Sequence, residues 1–296
     1  MSIKIRSFFY KDLPVLIDLL NKTYSGSYEF VPYSEERLRP WIQEGKLKIL
    51  MAVENSRILG TVTYNDGQWG EEIRWLAVNE NLDQKTIENE LVKEAEKYVK
   101  SEKVFTAIDA GSPKINDWIE RGYRLEGGLY HMIAKLNGIK PLLEIPEGVI
   151  LRSLKPEGEK EFVEVVNAAF GWERMQLGTI QKWKADYPPF SEEWIHLAEI
   201  CGKIVSVVAS RPDVNYNKAF NGKRGYLGPA ATLSEHRNKN LASALTLRAM
   251  NFLFNKGMDS VALHTSEQNI PSVTLLSKLG FKVSHNWKFL RKYLRC

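Results

Sequence analysis

The sequence contains only two cysteines, Cys201 and Cys296, among its 296 residues. Two such cysteines cannot form the framework of bridges that holds small secreted domains together, so they favour a reducing, cytoplasmic location. The five histidines are scattered along the chain. Because no cysteines and histidines have the close spacing of a zinc site, we expect no bound metal.

Long apolar runs are also missing. No stretch approaches the ~18 apolar residues that span a bilayer. The opening segment "MSIKIRSFFYKDL" lacks the apolar core of a signal peptide. We therefore expect no membrane partner. Glycine and proline are not in excess, and the length fits roughly two globular domains of about 150 residues each.

Charge is distributed unevenly between the two halves. Residues 1–148 carry a net charge of −3 and residues 149–296 a net charge of +8. A basic half can bind a nucleic acid, an acidic surface or a small polyanion. The only local basic cluster, "WKFLRKYLR", alternates apolar and basic residues, which is typical of a strand with one solvated face. We therefore expect no nucleic-acid partner.

The two halves repeat one order of elements. Each has a strand, two helices, a hairpin, a further strand, a long helix, a strand, a short helix and a final strand region. The intervening "NGIKPLLEIPEG" has the proline and glycine content of a linker. We predict two copies of one α/β domain, at residues 1–137 and 149–296, joined by a linker at 138–148.

The polar turn "SEHRNKN" precedes the long helix of the second half. The first four N–H groups of a helix have no partner within the helix, and together with the helix dipole they attract anions. Arg237 and Lys239 add positive charge, while Ala242 and Ser243 are small enough to let a phosphate approach the backbone. The turn alone is equally compatible with a solvated loop whose Asn residues cap the helix.

This pattern resembles that of the GNAT superfamily of acyl-CoA-dependent N-acetyltransferases, in which a strand is followed by Gln/Arg-x-x-Gly-x-Gly/Ala and a long helix. Here "RNKNLA" supplies Arg237, Asn240 and Ala242. Asn240 replaces the middle glycine, and Asn is the residue other than Gly that best tolerates a positive φ. The family's second motif matches "SEQNIPSVTLLSKLGFKV", with Asn269 before the short helix. The resemblance covers residues 149–296.

The fold implied by the resemblance is α/β, with a mixed, mostly antiparallel sheet flanked by helices, in two tandem GNAT-like domains. The implied cofactor is acetyl-CoA. Backbone amides of the polar turn and the helix start would hold its pyrophosphate, and the end of the preceding strand would pair with its pantetheine arm. Asn269 would bind the same arm, unless it only caps the helix before Pro271. The implied cofactor-binding residues are Ala231, Thr232, Leu233, Arg237, Asn238, Lys239, Asn240, Leu241, Ala242, Ser243, Asn269 and Ser272.

The first half has carboxylates where the second half has its polar turn. An ungapped comparison places Asp83 opposite Arg237 and Glu88 opposite Ala242. Carboxylates stabilise a helix N-terminus by ~0.3–1 kcal/mol each. They also repel a pyrophosphate and occupy its space. We therefore predict that residues 1–137 keep the fold and lack the cofactor site.

Acyl transfer by direct attack needs no enzyme nucleophile, so the lack of a Ser-His-Asp pattern is no objection. It needs a deprotonated amine, a polarised thioester carbonyl and a proton for the leaving thiolate. In the family a backbone N–H of the fourth strand polarises the carbonyl, here that of Thr232 or Leu233. The usual tyrosine before the Gly-Phe turn is Leu276, and the usual glutamate of the fourth strand is Tyr226. The candidate catalytic side chains are therefore Tyr226, whose alternative role is packing, and His264 on the next strand.

The family's acceptor site lies near the first two helices, which here include "FGWERMQLGTIQKWKADYPPFSEEW". With Glu173 and Asp186, an aromatic pocket there would suit an amine. An aromatic core beneath a long loop is the alternative. The aromatic residues are Trp172, Trp183, Tyr187, Phe190 and Trp194.

Together these observations predict an enzyme that transfers an acetyl group from acetyl-CoA to a small-molecule or peptide amine, as a monomer or homodimer. A non-catalytic acyl-CoA-binding regulator is an alternative, because both usual catalytic side chains are replaced. A tandem aminoacyl transferase that uses charged tRNA is a third hypothesis, which the negative charge of the first half argues against.

Overall fold

The computed structural model describes residues 3–43, 45, 47–67, 70–80 and 83–294. The chain divides into two compact units, Met1–Leu129 with His285–Cys296, and Tyr130–Ser284. Cys201 is exposed and free, and Cys296 lies outside the described residues. Within the described ranges, no helix is both long enough and apolar enough to cross a membrane.

The helices and strands follow the predicted order, except that the short helix at Val214–Phe220 was not predicted. The first half contains β1 (Lys4–Ser7), α1 (Leu13–Tyr24), α2 (Glu35–Gln43), β2 (Leu47–Glu54), β3 (Arg57–Gly67), β4 (Gly70–Val78), α3 (Gln84–Glu96), β5 (Lys103–Asp109), α4 (Lys114–Glu120) and β6 (Arg124–Lys135). The second half contains β7 (Val149–Ser153), α5 (Glu159–Phe170), α6 (Thr179–Asp186), β8 (Ile195–Ile200), β9 (Lys203–Pro212), α7 (Val214–Phe220), β10 (Arg224–Thr232), α8 (Leu241–Asn255), β11 (Ser260–Ser266), α9 (Ile270–Lys278) and β12 (Lys282–Tyr293).

In the first unit the strands lie in the order β1-β2-β3-β4-β5-β12. The pairs β1–β2, β2–β3 and β3–β4 are antiparallel, whereas β4 and β5 are parallel, with Glu72 opposite Phe105. The second unit has the order β6-β11-β10-β9-β8-β7, with β10 and β11 parallel and the ladders from β7 to β10 antiparallel. The predicted α/β fold class, with a mostly antiparallel mixed sheet and flanking helices, is confirmed.

The last strand belongs to the first unit. Residues Trp287 to Tyr293 of β12 pair antiparallel with β5, and the side chain of Leu290 is fully buried in the first unit's core. The alternation in "WKFLRKYLR" predicts a strand but does not specify which sheet it joins. The sequence-based division at residues 137 and 149 therefore assigns the last strand to the second domain, whereas in the structure this strand belongs to the first unit.

Helix α8 covers one face of the second unit's sheet through an apolar stripe. Leu241, Leu245, Ala249 and Leu253 recur every four residues, which places them on one side of the helix, and all four are buried in the core. Gly225 on β10 lies beneath the stripe, where a Cβ atom would be 2.7 Å from the Leu253 side chain. The helix can therefore pack closely on β10. The polar turn connects the end of β10 to the N-terminus of this helix.

Candidate active site

Strands β10 and β11 separate after a short parallel ladder. They pair only from Arg224 to Tyr226 on β10, although β10 continues to Thr232 and β11 to Ser266. The pairing of β10 with β9 also shifts register between Leu227 and Ala230. Pro229 lies within this bulge and has no N–H to donate. Beyond Tyr226, an edge of β10 therefore faces an opening between the two strands.

The direction of each backbone amide on β10 follows from its ladder with β9. The N–H of Leu233 donates to the Val205 carbonyl oxygen at 3.0 Å. Because alternate residues of an antiparallel strand point their N–H and C=O groups to opposite sides, Ala231 also faces β9, whereas Thr232 and Ala230 face the opening. The Leu233 amide is thus already used, which corrects its proposed role as a donor to the carbonyl. Ala230, which the sequence argument missed because a bulge leaves no clear pattern, is exposed there.

The Arg237 side chain connects the end of β10 to the end of α5. Its Nε donates to the Thr232 carbonyl oxygen at 3.3 Å and its Nη2 to the Ala169 carbonyl oxygen at 3.2 Å. These hydrogen bonds fix the strand end from which the polar turn starts. Arg237 therefore contributes to the geometry of the turn as well as to its charge.

Two asparagines of the polar turn have the positive φ that glycine adopts most readily. Asn238 has a φ of 61° and Asn240 a φ of 59°. Asn240 precedes the first residue of α8, and neither a side-chain cap nor an acidic residue lies in the first helical turn. Arg237 to Asn240 are exposed, Ala242 and Ser243 are half-buried, and the Leu241 side chain is buried in the core. Leu241 could therefore contact a ligand only through its backbone.

Asn269 caps helix α9, as its alternative role predicted. Its Oδ1 accepts a hydrogen bond from the Ser272 N–H at 3.3 Å, and the Ser272 hydroxyl oxygen accepts one from the Thr265 hydroxyl at 3.4 Å. A side-chain amide also carries two N–H donors, which capping leaves unused. Within the described ranges these donors of Asn269 have no protein partner, so a second role in ligand binding is compatible with the cap.

Tyr226 and His264 form a hydrogen-bonded pair. The Tyr226 hydroxyl lies 2.8 Å from the His264 Nδ1, at the level where β10 and β11 separate. The buried His131 of β6 stacks on His264, with ring centroids 4.6 Å apart and an interplanar angle of 17°. Burial raises the pKa of the Tyr226 phenol, an effect that the Arg211 charge partly offsets. The two predicted catalytic candidates thus meet, and His131, which the sequence argument missed, holds the second of them in place.

Two arginines surround this pair. The guanidinium carbon of Arg211 lies 4.2 Å from the Tyr226 ring centroid and 4.8 Å from that of Tyr187, and its Nη1 donates to the Gly228 carbonyl oxygen at 3.0 Å. Arg174 stacks on Phe170 at 4.3 Å, and burial lowers its pKa. The charge of Arg174 also acts on the Tyr226 phenol. Two positive charges, and the negative charge of Asp213, therefore act on the Tyr226 phenol.

Part of the predicted aromatic-acidic acceptor pocket is an aromatic core. Phe190 and Trp194 are 4% and 1% exposed and belong to the core, so the alternative of an aromatic core describes them correctly. Trp183 packs against the same core, and the Glu173 carboxylate accepts a hydrogen bond from Gln176. Composition alone could not distinguish inward from outward aromatic side chains in this segment.

In the first unit, helix α3 begins earlier than its counterpart. Gln84 opens this helix, and the ungapped comparison places Gln84 opposite Asn238. The positions opposite the positive-φ turn are therefore already helical. The Asp83 side chain accepts a hydrogen bond from the Thr86 N–H at 3.2 Å, so a protein carboxylate already caps this helix start.

A buried ion-pair cluster follows on the same helix. The two carboxylate oxygens of Glu88 accept hydrogen bonds from the Lys114 Nζ and the Arg121 Nη2, each at 2.8 Å. The side chains of Glu88 and Arg121 are only 6% and 7% exposed. Glu88 lies opposite Ala242 in the comparison of the halves, so a buried carboxylate with two cationic partners occurs at the position where the second half has a small residue.

The motif-bearing residues of the second half match a known family. Residues 159–281 match the model of the acetyltransferase (GNAT) family. This segment is similar to GNAT domains. Proteins of this family generally use acetyl-CoA as the acyl donor, and the described turn before α8 and opening beside β10 lie within the matched segment.

Relatives of known class match about half of the chain. A mycothiol acetyltransferase from Thermobispora bispora is 30% identical over 157 residues, which cover 52% of this chain and 53% of the relative. One from Nocardia farcinica is 28% identical over 153 residues, which cover 49% of each chain. The chain thus spans about half the length of these curated relatives.

Solved structures extend the similarity in fold to both GNAT-like halves. A GCN5-related N-acetyltransferase from Sphaerobacter thermophilus aligns with a TM-score of 0.72 and 20% identity, covering 99% of this chain and 96% of the other. A tandem GNAT protein from the clavulanic acid biosynthesis pathway aligns with a TM-score of 0.65 and 12% identity, covering 98% of both chains. At these identities the comparison establishes the fold, including the predicted tandem arrangement of two GNAT-like domains.

Proposed function

We propose that the protein is an N-acetyltransferase that moves an acetyl group from acetyl-CoA to a small-molecule or peptide amine. The observation that carries the proposal is the Tyr226–His264 hydrogen bond at the separation of β10 and β11, on the strand that leads to the polar turn of α8. The GNAT family match and the acetyltransferase relatives support the same activity.

The polar turn fits the diphosphate of a coenzyme A ligand. The amides from Asn238 to Ser243 start a helix without an acidic residue in its first turn, and Lys239 is exposed beside them. Such a helix start is a favourable site for phosphate. Along the opening, the backbone of Thr232 and Ala230 faces the side on which an extended arm would lie. When bound, acetyl-CoA supplies the acyl thioester.

The amide that polarises the acyl carbonyl must lie near the catalytic side chains. Thr232 is six residues beyond Tyr226, which corresponds to roughly 20 Å of extended strand. Ala230 is closer, it follows the bulge directly, and its N–H is directed to the opening. We therefore propose that the Ala230 N–H donates to the acyl carbonyl oxygen and that the backbone of Thr232 binds the pantetheine arm.

The acid and base roles follow from the pair itself. Because burial raises the pKa of Tyr226, the phenol keeps its proton near neutral pH, and we assign its O–H as the hydrogen-bond donor to the His264 Nδ1. The amine can therefore pass its proton to the Tyr226 oxygen, directly or through a water, while the phenol passes its own proton to the His264 Nδ1. Protonation of Nδ1 ends its acceptance from the phenol, so the Tyr226 O–H becomes free to donate elsewhere in the site.

Substitution of the phenol tests this assignment. Tyr226→Phe keeps the ring beside Arg211 and removes the hydroxyl, so we expect turnover with an amine panel to fall about 10²-fold or more, as for loss of a general acid or base. The affinity for acetyl-CoA, measured by calorimetry, should not change. Tyr216→Phe is the matched control, because within the described residues that hydroxyl makes no hydrogen bond.

Two outcomes would contradict the proposal. If Tyr226→Phe turns over at the wild-type rate, the tyrosine only packs. If the wild-type protein binds acetyl-CoA but releases no thiol with any amine, including the acceptor of mycothiol acetyltransferases, the chain is a non-catalytic acyl-CoA-binding protein.

A further inference from the structure

The side chains around Tyr226 lie on the face of the sheet opposite α8. Gly225 points toward Leu253 of α8, and successive residues of a strand alternate between faces, so Tyr226 points away from α8. Arg211 is the direct cross-strand partner of Tyr226 in the β9–β10 ladder and therefore lies on the same face. Tyr187, at the end of α6, contacts Arg211 from that side.

Arg211 has hydrogen-bonding capacity that the protein does not use. Its guanidinium has five N–H donors, of which one binds the Gly228 carbonyl oxygen. No carboxylate in the described part of the chain lies within ion-pair distance of Arg211, and the nearby Asp213 is bound to Arg224 at 2.8 Å. The two flanking tyrosine rings hold the group in a fixed orientation. A planar guanidinium fixed in this way is suited to bind a carboxylate through two parallel hydrogen bonds.

A second positive charge acts on the same place. Arg174 is close enough to Tyr226 to influence the charge of its phenol, and burial disfavours the charged form of Arg174 itself. The positive charges of Arg211 and Arg174 and the negative charge of Asp213 all act on the Tyr226 phenol, and Asp213 is already paired with Arg224. An anionic ligand beside Arg211 would therefore interact favourably with both arginines. An amine without a carboxylate would offer these arginines no counter-ion.

The cofactor's phosphates cannot be the anion that Arg211 binds. Arg211 lies level with Tyr226, whereas the polar turn that fits the diphosphate starts beyond Thr232, roughly 20 Å further along the strand. The anionic group must therefore belong to the other ligand of the Tyr226–His264 pair.

We infer that the acceptor is an amine with a free carboxylate a few bonds from its amino group, as in an α-amino acid, and that Arg211 binds this carboxylate. This inference rests on the proposed function and adds the substrate class. Arg211 holds the carboxylate on the face where Tyr226 and His264 lie, so the amino group of the same molecule is directed toward the pair. Arg211 is then a specificity-determining residue.

A set of matched acceptors tests the inference. Several amino acids are compared with their carboxamides and their decarboxylated amines, and kcat/KM is measured at saturating acetyl-CoA. We expect the wild-type protein to prefer the free acid at least tenfold. Arg211→Gln should raise KM for the acid at least tenfold more than it raises KM for the amide, and leave the affinity for acetyl-CoA unchanged. Arg211→Lys keeps the charge but not the planar fork, so its KM for the acid should lie between those of the wild-type protein and of Arg211→Gln. Lys203→Gln, at the far and exposed end of the same strand, is the control.

The outcomes separate this inference from the proposed function. If the wild-type protein acetylates amides as fast as acids, the carboxylate contact is wrong while the acetyltransferase activity stands. If no amine reacts, calorimetry with the amino acids and their N-acetylated products still tests the carboxylate site. Binding that is lost in Arg211→Gln supports the site, and the absence of binding to the wild-type protein overturns it.

Discussion

The difference between the two helix starts can be tested by copying one into the other. Ala242 of α8 lies opposite Glu88 of α3, and Ala242→Glu places a carboxylate in the first turn of α8, where we propose that the diphosphate binds. At ~5 Å and an effective dielectric constant of ~20–40, one carboxylate repels one phosphate charge by about 2–3 kcal/mol. The dissociation constant for coenzyme A should therefore rise roughly 30- to 150-fold.

The same substitution should not destabilise the fold. An acidic residue in the first turn interacts favourably with the helix dipole, so we expect the free energy of unfolding to stay level or rise by ~0.3–1 kcal/mol. Opposite effects on binding and on stability distinguish a local charge effect from general damage.

Calorimetry of coenzyme A binding and urea denaturation measure the two quantities. Ala242→Gln, which has the same size without the charge, should bind coenzyme A more tightly than Ala242→Glu. The gap between the two should shrink at 1 M salt, where the screening length is only ~3 Å. Wild-type affinity in Ala242→Glu would refute a diphosphate site at this helix start.

Two further predictions concern buried charges. Glu88→Gln should lower the free energy of unfolding by ~3–5 kcal/mol in urea denaturation, because Arg121 would stay buried without a counter-ion. The control is Glu120→Gln, from an exposed pair with Lys85, which should change the free energy of unfolding by less than ~1 kcal/mol. Equal effects of the two substitutions would contradict the argument. His196 is buried, and burial lowers its pKa to about 3, so the unfolded state binds more protons than the folded state between pH ~3 and ~6.5. Its contribution to stability is present above pH ~6.5 and should be lost as the pH falls, by up to ~1.4 kcal/mol per unit; His196→Gln should remove this part of the pH dependence, and parallel stability–pH curves for the two proteins would rule it out.

The elements and the turn could be predicted from local patterns. The four-residue repeat of apolar side chains identifies α8, and the tolerance of Asn for positive φ explains how Asn240 substitutes for glycine. Both features depend only on neighbours in sequence.

The rest of the site depends on contacts between distant residues. Arg211 meets Tyr226 through the register of β9 with β10, and His131 reaches His264 from a strand far away in sequence. The bulge that exposes Ala230 and turns the Leu233 amide toward β9 is a property of the ladder and not of either strand alone. Such features require the register, which a single sequence does not specify.

The position of β12 has a consequence for how the chain can acquire its structure during synthesis. The first unit's core includes Leu290, and its strand β5 pairs with residues 287–293. A nascent chain that has reached residue 137 therefore lacks one strand of its first sheet and leaves an edge open to other chains. Ribosome-bound intermediates should stay incomplete in this unit until residues 287–293 have emerged, and an expression fragment of the first half would need this distant strand fused to its end in order to cover the open edge.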